Sequence, residues 1–169
     1  MHLIIDGYNL LHVSRLPKVL TADDLQRERD HLIDELSRYR QIRPCEITLV
    51  FDGWQGGRPT EKKERKKGIE VFFSRLGETA DEVIKRLVKE KGQGAAVITA
   101  DRDISRYAER MGVAVIPSVR FREKMEMGGI RDEKGVGQDE DETGEMKRKG
   151  PSRRLSKKER KMRFALKKL

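Results

Sequence analysis

Apolar residues gather in short blocks along the chain. Leu3–Ile5, Ile47–Phe51, Ala95–Thr99 and Val113–Ile116 are runs of the length and composition of strands buried on both faces. A fifth run, Ile69–Phe73, is rich in β-formers and follows a basic stretch. Between these blocks the apolar spacing becomes helical. Leu25, Leu32, Ile33, Leu36 and Tyr39 fall on one helical face, and Thr21 stands as a cap before an acidic first turn. A second helix opens at Thr79 with Glu82 three residues on, a capping-box pattern, and carries the stripe Val83, Ile84, Leu87 and Val88. A third is predicted from Arg102 to Met111, stopped by Gly112. Strands alternating with helices predict an α/β fold with a mostly parallel central sheet. Such sheets bind ligands outside the carboxyl ends of their strands, so the residue after each strand is where chemistry is expected.

After about Met127 the pattern stops. Residues 128–146 are Gly-rich and then acidic, with the run DEDETGE, and residues 147–169 carry 12 Lys/Arg against one Glu. The predicted organisation is a globular domain over 1–127, a linker over 128–146, and a basic tail over 147–169. Leu155, Met162, Leu166 and Leu169 would let that tail become helical when bound. Charge sharpens the division. Residues 1–119 hold 21 Lys/Arg and 19 Asp/Glu, whereas residues 120–169 hold 17 and 10, so most of the +9 net charge sits in the last third. A basic segment favours a polyanionic partner, either nucleic acid or an anionic surface, although a solvated tail has the same composition. The thin apolar face without Trp argues against a membrane. Cys45 is the single cysteine, which excludes an intramolecular disulfide and a cysteine zinc cluster and fits a cytoplasmic location. The short, acid-broken run at the N-terminus reads as neither a signal peptide nor a membrane span. Asn9 is the only asparagine, in a composition of thermophile type.

Candidate chemistry lies at the strand ends. Asp6 closes the first strand, Asp52 follows the second, and Asp101 and Asp103 follow Ala95–Thr99. Asp81 lies in the first turn of the Thr79 helix. Carboxylates converging in one crevice repel each other unless cations neutralise them, and Mg²⁺ or Mn²⁺ suits an all-oxygen donor set. Such an ion supplies phosphodiesterase chemistry without His or Cys. His2, His12 and His31 have no metal-ligand spacing, and neither a GxGxxG turn nor a P-loop is present. Each acid also has a plainer local explanation. Asp6-Gly7 and Asp52-Gly53 are turn dipeptides, Asp81 and Asp103 suit helix first turns, and Asp101 suits an N-cap. Asn9 fits a turn, or the holding of a water, a phosphate oxygen or Asp6. Thr79 and Thr99 carry hydroxyls able to bond a carboxylate or a phosphate.

The segments IIDGYNLL, ETADEVI and ITADRDI, in this order and spacing, resemble the YacP-like NYN-domain family of the PIN-like nuclease superfamily over roughly residues 1–125. The resemblance implies a Rossmann-like, three-layer PIN-like domain that cuts RNA with divalent metal, typically endonucleolytically. It implies metal-site roles for Asp6, Asp81 and Asp101, a site role for Asn9, and an accessory role for Asp103. VFDGWQGGRPTEKKERKK is similar to a stretch of related structure-specific 5′ nucleases, which implies a supporting role for Asp52.

The segment from Gly53 to Gly68 is expected to be a basic loop beside the crevice. Arg58, Lys62, Lys63, Arg65, Lys66 and Lys67 would pair with phosphates, joined by Arg102, and Trp54 would stack on an unpaired base or pack under its own loop. The expected function is therefore a metal-dependent endoribonuclease of mRNA decay or RNA processing. Its partners would be single-stranded RNA or mRNA and the ribosome, with no small-molecule cofactor. The competing expectation is a non-catalytic RNA- or ribosome-binding module on the same fold.

Overall fold

The computed structural model describes residues 1–13, 21–53, 62–133 and 156–168, with backbone alone for 128–133. Trp54, Arg58 and the linker and tail residues from 134 to 155 lie outside the described residues. Five strands run parallel: β1 (His2–Asp6), β2 (Glu46–Phe51), β4 (Ile69–Phe73), β5 (Ala95–Ile98) and β6 (Ala114–Ile116). A sixth, β3 (Lys62–Lys66), pairs antiparallel with β4, giving the order β3-β4-β2-β1-β5-β6. The helices are α1 (Gly7–Val13), α2 (Ala22–Ile42), α3 (Ala80–Lys91), α4 (Arg102–Arg110), α5 (Ser118–Glu133) and α6 (Lys157–Lys168).

The pleat of β1 shows how the layers form. Leu3 and Ile5 enter one core with Leu32 and Leu36 of α2 and Phe121 of α5. Ile4 points the other way, into a second core with Val83, Ile84 and Leu87 of α3 and Ile104 of α4. Alternate residues of one strand thus serve opposite faces, and helices cover both, which is why the strand reads as a continuous apolar run. Each expected strand and each of the three expected helices forms. Thr21 closes a capping box with Asp24, and Thr79 one with Glu82.

Other elements depart from the sequence expectation. The basic stretch before Ile69 is the edge strand β3 rather than a loop over 62–66. Its side chains carry no apolar signal, yet Lys67 and Gly68 both hold positive φ, 49° and 83°, the two-residue turn that joins tightly twisted strands. Charge on an edge strand also guards it against pairing with other chains. The short α1 follows β1 directly and buries Leu10 and Leu11. Regular structure continues past Met127 through α5 to Glu133. The basic α6 is seated on the domain. It packs on β6, buries Ala165, donates from Lys161 Nζ to the Gly112 carbonyl at 2.9 Å, and pairs Lys158 with Glu109 at 2.8 Å.

Candidate active site

The parallel register brings the carboxyl ends of β1, β2 and β5 level: Ile5 lies opposite Leu49 on one side and Ile98 on the other. Asp6 is the last residue of β1 and only 5% exposed. It shares the pleat of Ile4 and so points toward the α3 and α4 side. Three donors hold its carboxylate. The Asn9 backbone N–H donates to Oδ1 at 3.1 Å, the Asn9 side-chain amide donates to Oδ2, and Thr99 Oγ1 donates to Oδ2 at 3.2 Å. The turn into α1 thus makes Asn9 a bracket for Asp6, and Thr99, just past β5, is the second bracket. Burial raises the Asp6 pKa, the Asn9 and Thr99 hydrogen bonds oppose that rise, and the Asp52 charge adds to it.

Asp52 follows β2 and accepts the Ala80 backbone N–H at 2.6 Å. It thereby ties the end of β2 to the first turn of α3 and sets Asp81 beside it. The approach is close. A Cβ on Gly53 would lie 1.9 Å from the Ser74 carbonyl oxygen, and the Gly53 N–H donates to Ser74 Oγ at 3.0 Å. Gly7, after Asp6, is pressed likewise, with the Phe51 ring 2.3 Å from where a Cβ would stand.

Asp81 makes no hydrogen bond or ion pair among the described residues. Its pKa is raised first by burial and then by the Asp101 charge, opposed by Lys85, with Asp6 and Asp52 adding smaller pushes. Carboxylates from β1, β2, α3 and α4 therefore feel one another, and none of Asp6, Asp52, Asp81 and Asp101 forms an ion pair among the described residues. Asp101 is the N-cap of α4, its Oδ1 accepting from the backbones of Asp103 at 2.7 Å and Ile104 at 2.9 Å. Capping and membership of the acidic edge coexist in one side chain, since one oxygen does the capping.

The other expected residues divide by place. Asp103 is largely exposed and lies 3.9 Å from Arg106; Arg102 is exposed on the same turn of α4. Lys62 begins β3 opposite Phe73, at the carboxyl edge, and Lys63 lies over the Phe72 ring at 4.9 Å. Lys66 and Lys67 lie at the other end of β3, toward the amino edge, where they pair with Asp30 at 3.3 Å and Asp34 at 2.6 Å on α2. The structure thus separates the basic residues instead of gathering them beside the crevice, because a strand, unlike a loop, spends its length crossing the sheet. Arg65 lies between, in β3. Lys85, one helical turn after Asp81, also faces this edge; only its i+4 spacing marks it in the sequence.

The donor set is all oxygen, which suits a hard divalent cation. Among the described residues no three carboxylates or imidazoles stand close enough to hold one ion together. An ion here would be bound by one or two carboxylates with water completing its shell, the usual habit of Mg²⁺. His2 lies at the opposite end of β1, bonded to Glu46 at 2.9 Å and Thr48 at 2.7 Å, and is no part of this site. Among the described residues no helix is long and apolar enough to cross a membrane.

Comparison with known proteins yields a consistent set. A family model described as the YacP-like NYN domain matches residues 3–167. A protein named uncharacterized protein YacP, from Bacillus subtilis (strain 168), is 33% identical over 87 residues, which take in 52% of this chain and 51% of that protein. The chain therefore spans about half the length of that relative. A crystal structure of Rae1 (YacP) from Bacillus subtilis superposes with a TM-score of 0.62 at 26% identity, covering 79% of this chain and 78% of that one. A crystal structure of a point mutant of the same protein gives the same TM-score and identity, covering 78% and 79%.

Proposed function

The chain belongs to the YacP-like NYN domain family, whose PIN-like fold is nuclease-like, and from this membership and the acidic edge we propose that it is a divalent-metal-dependent endoribonuclease. The observation that carries the proposal is a set of four carboxylates, Asp6, Asp52, Asp81 and Asp101, that feel one another at the carboxyl edge and form no ion pair among the described residues, with Lys85 offsetting only part of the repulsion on Asp81. A pure binder of phosphates gains nothing from unneutralised acids facing its ligand.

In this proposal Asp6, Asp81 and Asp101 are the metal-holding acids, an Mg²⁺ or Mn²⁺ ion being bound by one or two of them at a time with water completing its shell. When bound, the metal supplies a Lewis acid for the phosphate and makes water more acidic. The protein's own groups do the rest. Asn9 and Thr99 fix the rotamer of Asp6, and Asn9 also has the reach to steady a water or a phosphate oxygen. Asp52 holds the start of α3, and hence Asp81, against the strand ends. Asp103 and Arg102 stand at the mouth, the first as an accessory acid and the second as a phosphate contact. Lys62, Lys63 and Arg65 on β3 join Arg102 in holding single-stranded RNA or mRNA, and the ribosome is a further proposed partner through the basic C-terminal region. Trp54 and Arg58 are proposed RNA contacts on sequence grounds alone. The proposed setting is mRNA decay or RNA processing in the cytoplasm.

A second reading has its own support: no three acids among the described residues converge on one ion. On that reading the edge binds RNA or the ribosome without cutting. Cleavage of end-labelled RNA with Mg²⁺ or Mn²⁺, in wild type, Asp6→Asn and Asp101→Asn, separates the two. Metal-dependent internal cuts lost in both variants are expected. Cuts that persist in excess EDTA, or in both variants, contradict the metal mechanism. RNA binding with no cutting under any divalent ion favours the binding module.

A further inference from the structure

Arg29 of α2 is 9% exposed and forms no ion pair among the described residues. Its guanidinium carbon lies 5.4 Å from the Tyr8 ring centroid, 5.5 Å from that of Phe51 and 5.7 Å from that of Phe73. One terminal nitrogen donates to the Tyr8 hydroxyl, and Nε has no hydrogen-bond partner. A buried charge is costly, and the carboxylate that feels this one, Asp30 on the same helix, is already in an ion pair with Lys66 at 3.3 Å. Ring faces offset part of that cost. They leave a cation with unused donors, the situation that an anion relieves.

Its position gives the anion a source. Tyr8 stands two residues after Asp6, Phe51 one before Asp52, and Phe73 ends β4, so the cage lies at the same carboxyl edge as the acids. It lies on the opposite face of the sheet, however. Phe51 belongs to the core facing α2, whereas Asp6 and Asp52 turn toward α3. Lys62 adds a second cation, its Nζ 5.7 Å from the same Phe73 ring and 2.8 Å from the Glu64 carboxylate, an ion pair that an incoming phosphate displaces. Tyr8 and Phe73 are only half-buried. One rim of the sheet is thus anionic, and the rim across from it combines cations with aromatic faces. That combination suits a nucleotide of single-stranded RNA, whose base offers a π-face and whose linkage offers a charge.

We propose that Tyr8, Arg29, Phe73 and Lys62 form a subsite for the nucleotide flanking the scissile linkage. Arg29 and Lys62 take its phosphate, and the Tyr8 ring takes its base. The subsite rests on the ribonuclease reading above, and extends it to residues on the other face of the sheet. A strand of RNA crossing the edge would place one linkage over the acids and the next over the cage.

The test measures binding of the full chain to a short single-stranded oligoribonucleotide in EDTA, so that nothing is cut. Each linkage in turn is replaced by an uncharged methylphosphonate, in wild type, Arg29→Met and Lys62→Met. Neutralising one linkage beside the mapped cleavage point should weaken wild-type binding about tenfold, the size of a lost charge-assisted hydrogen bond. The same replacement should cost little further in either variant, while replacements elsewhere keep their full effect. The slope of log affinity against log salt should fall by about 0.7 in each variant. Losses that add at every linkage overturn the subsite and leave the nuclease reading standing. If Arg29→Met fails to fold, additive losses in Lys62→Met overturn it equally. Wild type that binds no RNA in EDTA overturns the subsite, and the nuclease reading then falls only if Mg²⁺ and Mn²⁺ also give no cleavage.

Discussion

At the scale of single residues the acidic edge is a balance between repulsion and bracketing. The pKa of Asp81 is raised, so the folded protein holds that proton more tightly than the unfolded chain does. Its contribution to stability is therefore full below the ordinary carboxylate range and is lost as pH rises through the raised value. Removing the charge should help the metal-free fold: Asp81→Asn should raise the melting temperature at neutral pH in EDTA and should abolish cleavage. The gain should be no more than about 1 kcal/mol, because Asp81 is partly solvated. Thermal melts from pH 4 to 8 check this, and a variant less stable than wild type at pH 7 would refute the repulsion. The Asp6 pKa is raised by burial as well, but three donors lean on its carboxylate and oppose the rise. Thr99→Val should cost about 1 kcal/mol by leaving Asp6 one donor short. Gly53→Ala drives a Cβ into the Ser74 carbonyl and should cost about 1–3 kcal/mol, as overpacking does. Of these residues, Asp6, Asn9, Asp81 and Asp101 were legible from the strand-end rule and the motif segments. Arg29 was not, since an arginine in the polar part of a helical pattern reads as solvated until the fold closes aromatics around it.

At the scale of elements, position follows from capping and register. α3 begins where it does because the Thr79 and Glu82 box closes its first turn, and because Asp52 accepts the next free N–H. Thr79→Ala should destabilise the protein by about 1 kcal/mol. It should also lower the rate of cleavage more than it weakens RNA binding, since it loosens the turn that carries Asp81. Chemical denaturation and single-turnover kinetics on the same variant check both parts. The strands with apolar runs, and the helices with caps and stripes, were written plainly in the sequence. β3 was not, because KKERK owes its strand to a turn and to its neighbour rather than to its own side chains. α1 was hidden by its seven residues, too few for a helical period to declare itself. The helical spacing of α6 was legible in Met162 and Leu166, but its seat on β6 was hidden by charge, since Ala165 and the half-buried Leu166 are its main anchors and its other residues mostly face water.

At the scale of the molecule, the sheet divides two kinds of work. Its carboxyl edge gathers acids on the α3 side and the caged arginine on the α2 side, while β6 at one margin seats the basic α6. The seating predicts that deleting residues 156–169 lowers stability by about 1–3 kcal/mol through lost apolar burial. A deletion that leaves the melting temperature unchanged would mean that α6 does not rest on β6 in solution. The sequence put the basic excess in a tail, and its composition could not show that a few small and apolar residues fix part of that tail to the sheet. The proposed cleavage depends on one property of the acidic edge, that it takes up a divalent cation. Mn²⁺ titrated into the full chain and followed by electron paramagnetic resonance measures this directly. Saturable binding that Mg²⁺ reverses, weakened in both Asp6→Asn and Asp101→Asn and unchanged in Arg29→Met, is the predicted result. Binding of equal strength in wild type and both aspartate variants, or no saturable binding at all, would contradict it.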